Sequence, residues 1–492
     1  MIGRQKERSR LLEAFASEDS EFVAVYGRRR VGKTFLVRET FDQSFTFQHT
    51  GVKNGSRQIQ LSRFRQSMIE QGHPGCPELK DWFDAFDNLK TVIKASAAER
   101  KVVFIDEIPW MGRSDRNFIS AVENFWNGWA SARKDILLIV CGSATSWVLE
   151  KIVHNRDGLH NRVTYRIRLD PFTLRECEAY AQSRGLAYTR DQLAECYMIL
   201  GGIPMYWRYL ERGKSVAQNI DDMFFSGSEK LEDEFDELYA SLFEHPEPYL
   251  AIVTAMAKKK CGMTREEVAD VAGLENGGAL SRYLKVLEQC GFIRKFTEIG
   301  KKTKGAVFQL IDNFTLFYFR FMESNKANDP HYWSAMADTR VHSTWAGLAF
   351  ERLCLQHIDG IKHALGISGV LTNVHSWRNA NAQVDLLIDR RDGIINICEM
   401  KYWAGPYAMT AADDAALMNK RAEFKEATKT RKAVHLTMVT SLGVKPNAIR
   451  EGSSRLQRLT TFSRCDAILW AVQTRQEREV QNGKHEARRD DR

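Results

Sequence analysis

The segment Gly27-Arg28-Arg29-Arg30-Val31-Gly32-Lys33-Thr34 matches G-x-x-x-x-G-K-[ST] and stands between an apolar run and a helical stretch, the setting this pattern needs. Its glycines let the backbone curl so that successive N–H groups face a polyphosphate, and a helix start adds positive potential. Lys33 can then reach the β- and γ-phosphates, the Thr34 hydroxyl can ligate Mg²⁺, and Phe35 completes the binding segment. A second apolar run, KVVFIDE from Lys101, ends in Asp106 and Glu107. Asp106 suits the water shell of a magnesium ion, and Glu107 can polarise an attacking water. Beside the glycine loop this acid pair favours hydrolysis over simple binding. No N-K-x-D guanine signature occurs, so the nucleotide expected is ATP, with Mg²⁺. Ser143 and Thr145 follow the run DILLIVCG and could contact the γ-phosphate or the attacking water; strand-end capping explains them equally well. Arg162, in GLHNRV, could stabilise γ-phosphate charge in cis or in trans, or form a surface salt bridge.

A second constellation lies far downstream, at Asp385 in QVDLLIDR and at Glu399 and Lys401 in IINICEMKY. E-x-K alone carries no information, since Glu78/Lys80, Glu99/Lys101 and Glu423/Lys425 match it too. Only Glu399 and Lys401 stand in an apolar β-rich run, where a period of two aims both side chains to one face. Antiparallel pairing across the turn Arg390-Arg391-Asp392-Gly393 would bring Asp385 beside Glu399, to share a Mg²⁺ ion. Glu351, in GLAFERLC, could add a third carboxylate, and Lys401 could orient or activate water. The plain alternative is an edge strand guarded by solvated Glu and Lys.

These residues need a scaffold. Between Glu21 and Pro171, short apolar runs (EFVAVYG, SFTFQHT from Ser44, KVVFIDE, DILLIVCGS, TYRIRL from Thr164) alternate with longer helical stretches, as in a parallel sheet covered on both faces. After Pro171 the pattern is helical, ending at Gly201-Gly202-Ile203-Pro204, ordinary helix-stop chemistry. From Glu247 to Ile311, MTREEVADVAG and GALSRYLKVLEQCG have helix-turn-helix spacing, and FIRKFTEIGKKTKGAVFQLID reads as a β-hairpin wing. Arg294, Lys295, Lys301, Lys302 and Lys304, offset by Glu298, make that wing basic, and the second helix offers Ser281, Arg282, Tyr283 and Lys285. DNA contact is expected there, although such modules also pack against protein. FTLFYFRF from Phe314 reads as buried core rather than a stacking platform, and EKLEDEFDE from Glu229 as a solvated helical face.

The N-terminal motifs resemble the archaeal-type ATPase family, a branch of the STAND P-loop ATPases related to AAA+ proteins. The resemblance is carried by Ile2-Gly3-Arg4 with Glu7, YGRRRVGKT, FIDEIPWM, CGSATSWV, the stretch from GLHNRV to Leu169-Asp170-Pro171-Phe172, and GGIPMYW. It implies that Gly201, Gly202 and Pro204 form a lid motif relaying nucleotide state, and that a winged helix and often a restriction-endonuclease-like domain follow. The downstream carboxylates resemble the PD-(D/E)xK nuclease superfamily, with Val384 in place of the usual Pro before the Asp.

The expected organisation is α/β: a P-loop NTPase sheet over 1–170, a helical lid over 171–243, a winged helix over 244–325, a restriction-endonuclease-like α/β segment over 340–472, and a disordered tail over 473–492. The chain has 492 residues, enough for about three or four domains. A net charge of +8 permits an anionic partner without requiring one. No apolar run approaches the ~18 residues that span a bilayer; the longest begins at Ile136. The start MIGRQKERSR lacks the apolar stretch of a secretory signal, and the nine cysteines are scattered without a CxxC pair. Secreted, membrane-spanning and disulfide-framework classes are therefore not expected, and a cytoplasmic protein, in some cases a homo-oligomer, is. Two functions follow: an ATP-hydrolysing protein coupling nucleotide state to a winged helix and a nuclease-like segment on DNA, or a nucleotide-gated switch or scaffold that binds DNA or protein without cleaving.

Overall fold

The computed structural model of the chain describes residues 1–154, 158–227, 231, 233–297, 299, 306–325, 329–337, 339–445 and 460–461. The first five apolar runs form parallel strands β1 (Glu21–Gly27), β2 (Phe47–Thr50), β3 (Lys101–Asp106), β4 (Ile136–Gly142) and β5 (Tyr165–Leu169), in the order β2-β3-β4-β1-β5. β4 is buried along its whole length, because helices cover both faces. Leu11, Leu36 and Val37, from helices Gln5–Ala16 and Lys33–Thr40, cover one face. Phe64, Phe86 and Phe125, from helices Arg57–Glu70, Trp82–Ala95 and Phe118–Gly128, cover the other. β2 begins later than its apolar run, since the Ser44 amide donates to the Phe41 carbonyl (2.8 Å) in the preceding turn. Parallel pairing puts the C-terminal ends of all five strands on one edge, where ligands of open α/β sheets bind.

Past Pro171 come helices Leu174–Ser183, Arg190–Leu200, Pro204–Arg208, Val216–Phe224 and Glu234–Leu242. Pro204 does more than stop a helix: it opens the next one, where a missing N–H costs nothing. Helices Glu247–Ala257, Arg265–Ala272 and Gly278–Gln289 follow, with an antiparallel sheet of β6 (Met263–Thr264), β7 (Ile293–Phe296) and β8 (Val307–Leu310) ordered β6-β8-β7. The short strand β6 escaped the sequence reading. FTLFYFRF is helical, and Phe314, Phe317 and Phe321 are fully buried, so it is core as expected.

The last segment packs helix Arg340–Gln356 on a five-stranded sheet, β13-β12-β11-β10-β9, comprising β9 (Thr372–Arg378), β10 (Gln383–Arg390), β11 (Ile394–Lys401), β12 (Ala433–Thr440) and β13 (Thr460–Thr461). β9, β10 and β11 pair antiparallel, whereas β11, β12 and β13 are parallel, with helix Ala411–Thr428 crossing between β11 and β12. One apolar cluster runs from the β1 sheet through the helical segment to Leu353, Leu386 and Met400. Glu298, Lys301, Lys302, Lys304 and the segment 473–492, expected as wing and tail, lie outside the described residues. Among the described residues no helix is long and apolar enough to cross a membrane, and eight cysteines are free thiols.

Candidate functional site

Gly27 closes β1 at φ 149°, where a Cβ would run into the Leu169 carbonyl, and Gly32 turns into the Lys33–Thr40 helix at φ 91° with nothing within 4 Å of a would-be Cβ. The loop between them turns back over the Lys33 side chain. Lys33 is 5% exposed, and its ammonium donates to the carbonyls of Gly27 (3.0 Å) and Arg28 (2.8 Å). That leaves one of its three protons for a phosphate oxygen. The Thr34 hydroxyl donates to Asp106 Oδ2 (2.6 Å), while Asp106 Oδ1 accepts from the Glu107 amide (2.9 Å). Ser143, at the end of β4, donates its hydroxyl to Glu107 Oε1 (2.8 Å). Glu107 holds a left-handed backbone (φ 48°), an unfavourable state for a non-glycine residue that aims its carboxylate along the sheet edge. Thr34, Asp106, Glu107 and Ser143 thus form one hydrogen-bonded chain across three strand ends. The residues present fit a Mg²⁺-bound triphosphate: a cation, backbone donors, and a hydroxyl–carboxylate pair at the helix start.

The side chains of Arg28, Arg29 and Arg30 engage protein groups. Arg28 is buried, pairs with Asp312, and lies 4.7 Å over the Phe292 ring. Burial opposes its charge, but the adjoining carboxylate outweighs that and raises its pKa. Arg29 donates to the Glu237 carbonyl (3.1 Å) and Ser241 Oγ (3.0 Å), and Arg30 pairs with Glu234. Glu234 is 3% exposed and also accepts from the Tyr206 hydroxyl (2.7 Å); burial pushes its pKa up, opposed by Arg30. The expectation of a solvated acidic face is therefore corrected at Glu234, which is the buried counter-charge of the loop; Glu229 and Glu232 lie outside the described residues. Val31 is buried, with its carbonyl held by Arg4 (3.3 Å), whereas Phe35 is 55% exposed. Thr145 is buried in the Thr145–Val148 helix with no partner for its hydroxyl. Arg162 is exposed on the turn before β5, outside the Asp106–Glu107 network. Gly202 is confined because a Cβ there would meet the Phe172 carbonyl, and its own carbonyl accepts from the Phe172 amide (2.6 Å).

The downstream residues also come together. The β10–β11 ladder ends at the pair Leu386–Cys398, with Asp385 and Glu399 the next residue on each strand. Glu351 faces the same place from the Arg340–Gln356 helix: burial pushes its carboxyl up to about 7, helped by the fields of Asp385 and Glu399. Glu399 accepts from Lys401 (3.1 Å) and from Lys420 (2.7 Å) of the Ala411–Thr428 helix; Lys420 carries no sequence signal for this role. Among the described residues, no group of three or more His, Cys, Asp or Glu side chains is arranged to hold a metal. Arg294, expected to face outward on the wing, turns inward: it donates to Gln309 (2.7 Å), and burial pushes its pKa down to about 10 against the field of Asp385. Ser281, Arg282, Lys285 and Lys295 are exposed, but Tyr283 packs edge-on to Tyr249 (5.0 Å).

Comparison with known proteins bears on this edge of the sheet. Residues 1–210 match a family model described as an ATPase domain predominantly from Archaea. The matched segment spans the whole parallel sheet and takes in the Pro204–Arg208 helix. Over 399 residues the chain is 24% identical to an uncharacterized protein of Methanocaldococcus jannaschii, covering 78% of this chain and 83% of that one. Among solved structures, a Walker-type ATPase of Pyrococcus abyssi aligns with TM-score 0.46 and 16% identity, covering 65% of this chain and 96% of that one. The ORC2 protein of Aeropyrum pernix, in ADPNP–ADP complexes, aligns with TM-score 0.38 and 16% identity, covering 69% and 96%.

Proposed function

We propose that the chain binds Mg²⁺·ATP on the segment Gly27–Phe35, hydrolyses it, and passes the nucleotide state to its helical lid and C-terminal half. The observation carrying this reading is the unbroken chain Thr34–Asp106–Glu107–Ser143, which puts two hydroxyls and two carboxylates on one sheet edge beside the glycine loop. When bound, magnesium would supply charge neutralisation at the β- and γ-phosphates. Lys33 and the loop amides orient the phosphates, Thr34 and Asp106 hold the cation's inner and outer shells, and Glu107, steadied by Ser143, takes a proton from the attacking water. Arg28, Arg29 and Arg30 tie this loop to Asp312, Ser241, Glu234 and Glu237, so a nucleotide that reshapes the loop pulls on everything downstream.

The downstream half fits a winged helix followed by a restriction-endonuclease-like segment, with DNA as partner. Helices Arg265–Ala272 and Gly278–Gln289 with the β7–β8 hairpin have that module's order, and Ser281, Arg282 and Lys285 are exposed on its second helix. Asp385 and Glu399, with Glu351 as a third carboxylate, would then hold Mg²⁺, and Lys401 would orient or activate the water that cleaves. A second reading, an ATP switch that binds DNA or protein without cutting, is favoured by the two lysines that already neutralise Glu399. Lys33→Ala should abolish ATP binding in equilibrium titration of the full chain; unchanged affinity would refute the nucleotide assignment. Plasmid nicking with Mg²⁺ or Mn²⁺, lost in Asp385→Ala and Lys401→Ala while ATPase persists, supports cleavage. No nicking under any condition supports the switch.

A further inference from the structure

Beside Glu107 the sheet edge opens into a cavity of about 190 Å³ whose lining includes Arg29, Lys53, Glu107, Arg113, Ser143 and Ser241. Lys53 follows β2, Glu107 follows β3, Ser143 follows β4 and Arg29 follows β1, so four adjacent strands of the parallel sheet deliver their side chains to one chamber. Three cations face it alongside the general base. Nothing in the sequence pattern singles out Arg113, which lies on the short Ile108–Ser114 helix directly after Glu107.

Both arginines are held by one partner. Arg113 donates to the Leu242 carbonyl (3.1 Å), with its guanidinium 5.3 Å over the Trp110 ring. Arg29 donates to the Glu237 carbonyl and to Ser241 Oγ. All three acceptors belong to the Glu234–Leu242 helix: Leu242 offers one of the last carbonyls, which lack intrahelical partners and carry partial negative charge, Ser241 offers its hydroxyl from the last turn, and Glu237 offers its carbonyl from the first. Oxygens of this one helix thus meet the two cations as the oxygens of an anion would. Burial lowers the Arg113 pKa, while Glu244 and Glu107 raise it, so the field of the general base reaches this guanidinium. Arg162, by contrast, is exposed on its turn.

We infer that Arg113, with Arg29, supplies the positive charge that stabilises the transferring γ-phosphoryl group in this chamber, and that the Glu234–Leu242 helix yields both cations when that group enters. The inference rests on the Mg²⁺·ATP reading above. In the step concerned, the water oxygen bonds to the γ-phosphorus and its proton passes to Glu107. The bond from phosphorus to the β–γ bridging oxygen breaks, and its electron pair leaves with ADP. The charge on the three equatorial oxygens is what Arg113 and Arg29 offset.

The test measures, on the full chain, affinity for Mg²⁺·ADP with and without aluminium fluoride, a planar stand-in for the γ-phosphoryl group, together with steady-state ATP turnover. Arg113→Ala should bind ADP within about twofold of wild type, lose at least about tenfold of the fluoride-dependent tightening, and lose about a hundredfold or more in kcat with little change in KM. Arg113→Lys should regain part of both, which separates lost charge from lost folding, and exposed Arg116→Ala should behave as wild type. Fluoride-dependent tightening retained in Arg113→Ala, or lost instead in Arg162→Ala, would overturn the inference while leaving the phosphate loop intact. No ADP binding by the wild-type chain would overturn the Mg²⁺·ATP reading and this inference with it.

Discussion

Replacing Asp312 by Ala should destabilise the protein more than any exposed substitution. Asp312 and Arg28 form a buried pair with side-chain exposures of 5% and 6%, separated by 284 positions in sequence. Arg28 already has Nε and Nη2 without partners, so loss of the carboxylate leaves a charged group facing only the Phe292 ring. Breaking a buried pair from one side costs about 3–5 kcal/mol. Asp312 also caps the Asn313–Phe317 helix by accepting from the Thr315 amide (2.9 Å), which adds about 1 kcal/mol. At about 2–4 °C per kcal/mol for a folding unit of this kind, the melting temperature should fall by roughly 8–24 °C in differential scanning calorimetry. The double variant Arg28→Met, Asp312→Leu removes both charges from a site lined by Phe292 and should recover most of that loss. A fall of under about 2 °C in the single variant, or a double variant worse than the sum of its parts, would refute the claim that this pair fastens the nucleotide loop to the downstream half.

Gly202→Ala drives a Cβ into the Phe172 carbonyl and should lower the melting temperature by several degrees, whereas Gly213→Ala, with open space around it but φ 77°, should cost only about 1 kcal/mol. His49, buried in β2, has its imidazole pKa pushed down to about 4 by burial, so the unfolded chain binds the extra proton between about pH 6.5 and 4. Stability should therefore fall as the solution is acidified through that window, by roughly 2 kcal/mol between pH 7 and 5, and urea unfolding of His49→Gln should lack that increment. Thr34→Val keeps shape but loses the hydroxyl bonded to Asp106, so ADP affinity measured in chelator should persist while tightening by Mg²⁺ falls about tenfold.

The parallel sheet was legible because strands covered on both faces must be apolar throughout, as β4 is, and because the glycine loop and the Asp106–Glu107 pair have fixed places in such a sheet. The approach of Asp385 to Glu399 was legible for a similar reason: a short turn with Gly393 at φ 84° fixes the antiparallel register. What escaped was whatever depended on contacts between distant segments. Glu234 sits among acids that read as solvated, and only folding reveals Arg30 and Tyr206 around it. Arg294 carries the same charge as the lysines near it in sequence, yet its guanidinium lies over the Phe296 ring (4.6 Å) and donates to Gln309. Lys420 and Arg113 lie on helices whose rotation about their axes, set by packing, decides where one long side chain ends.

The central claim is that Glu107 activates water against a phosphoryl group held by the loop of Lys33. Glu107→Gln keeps the shape of the side chain and its bond from Ser143 while removing the base. Single-turnover hydrolysis of Mg²⁺·ATP should slow by about a hundredfold or more at unchanged ATP affinity. Turnover at the wild-type rate in this variant would contradict the account.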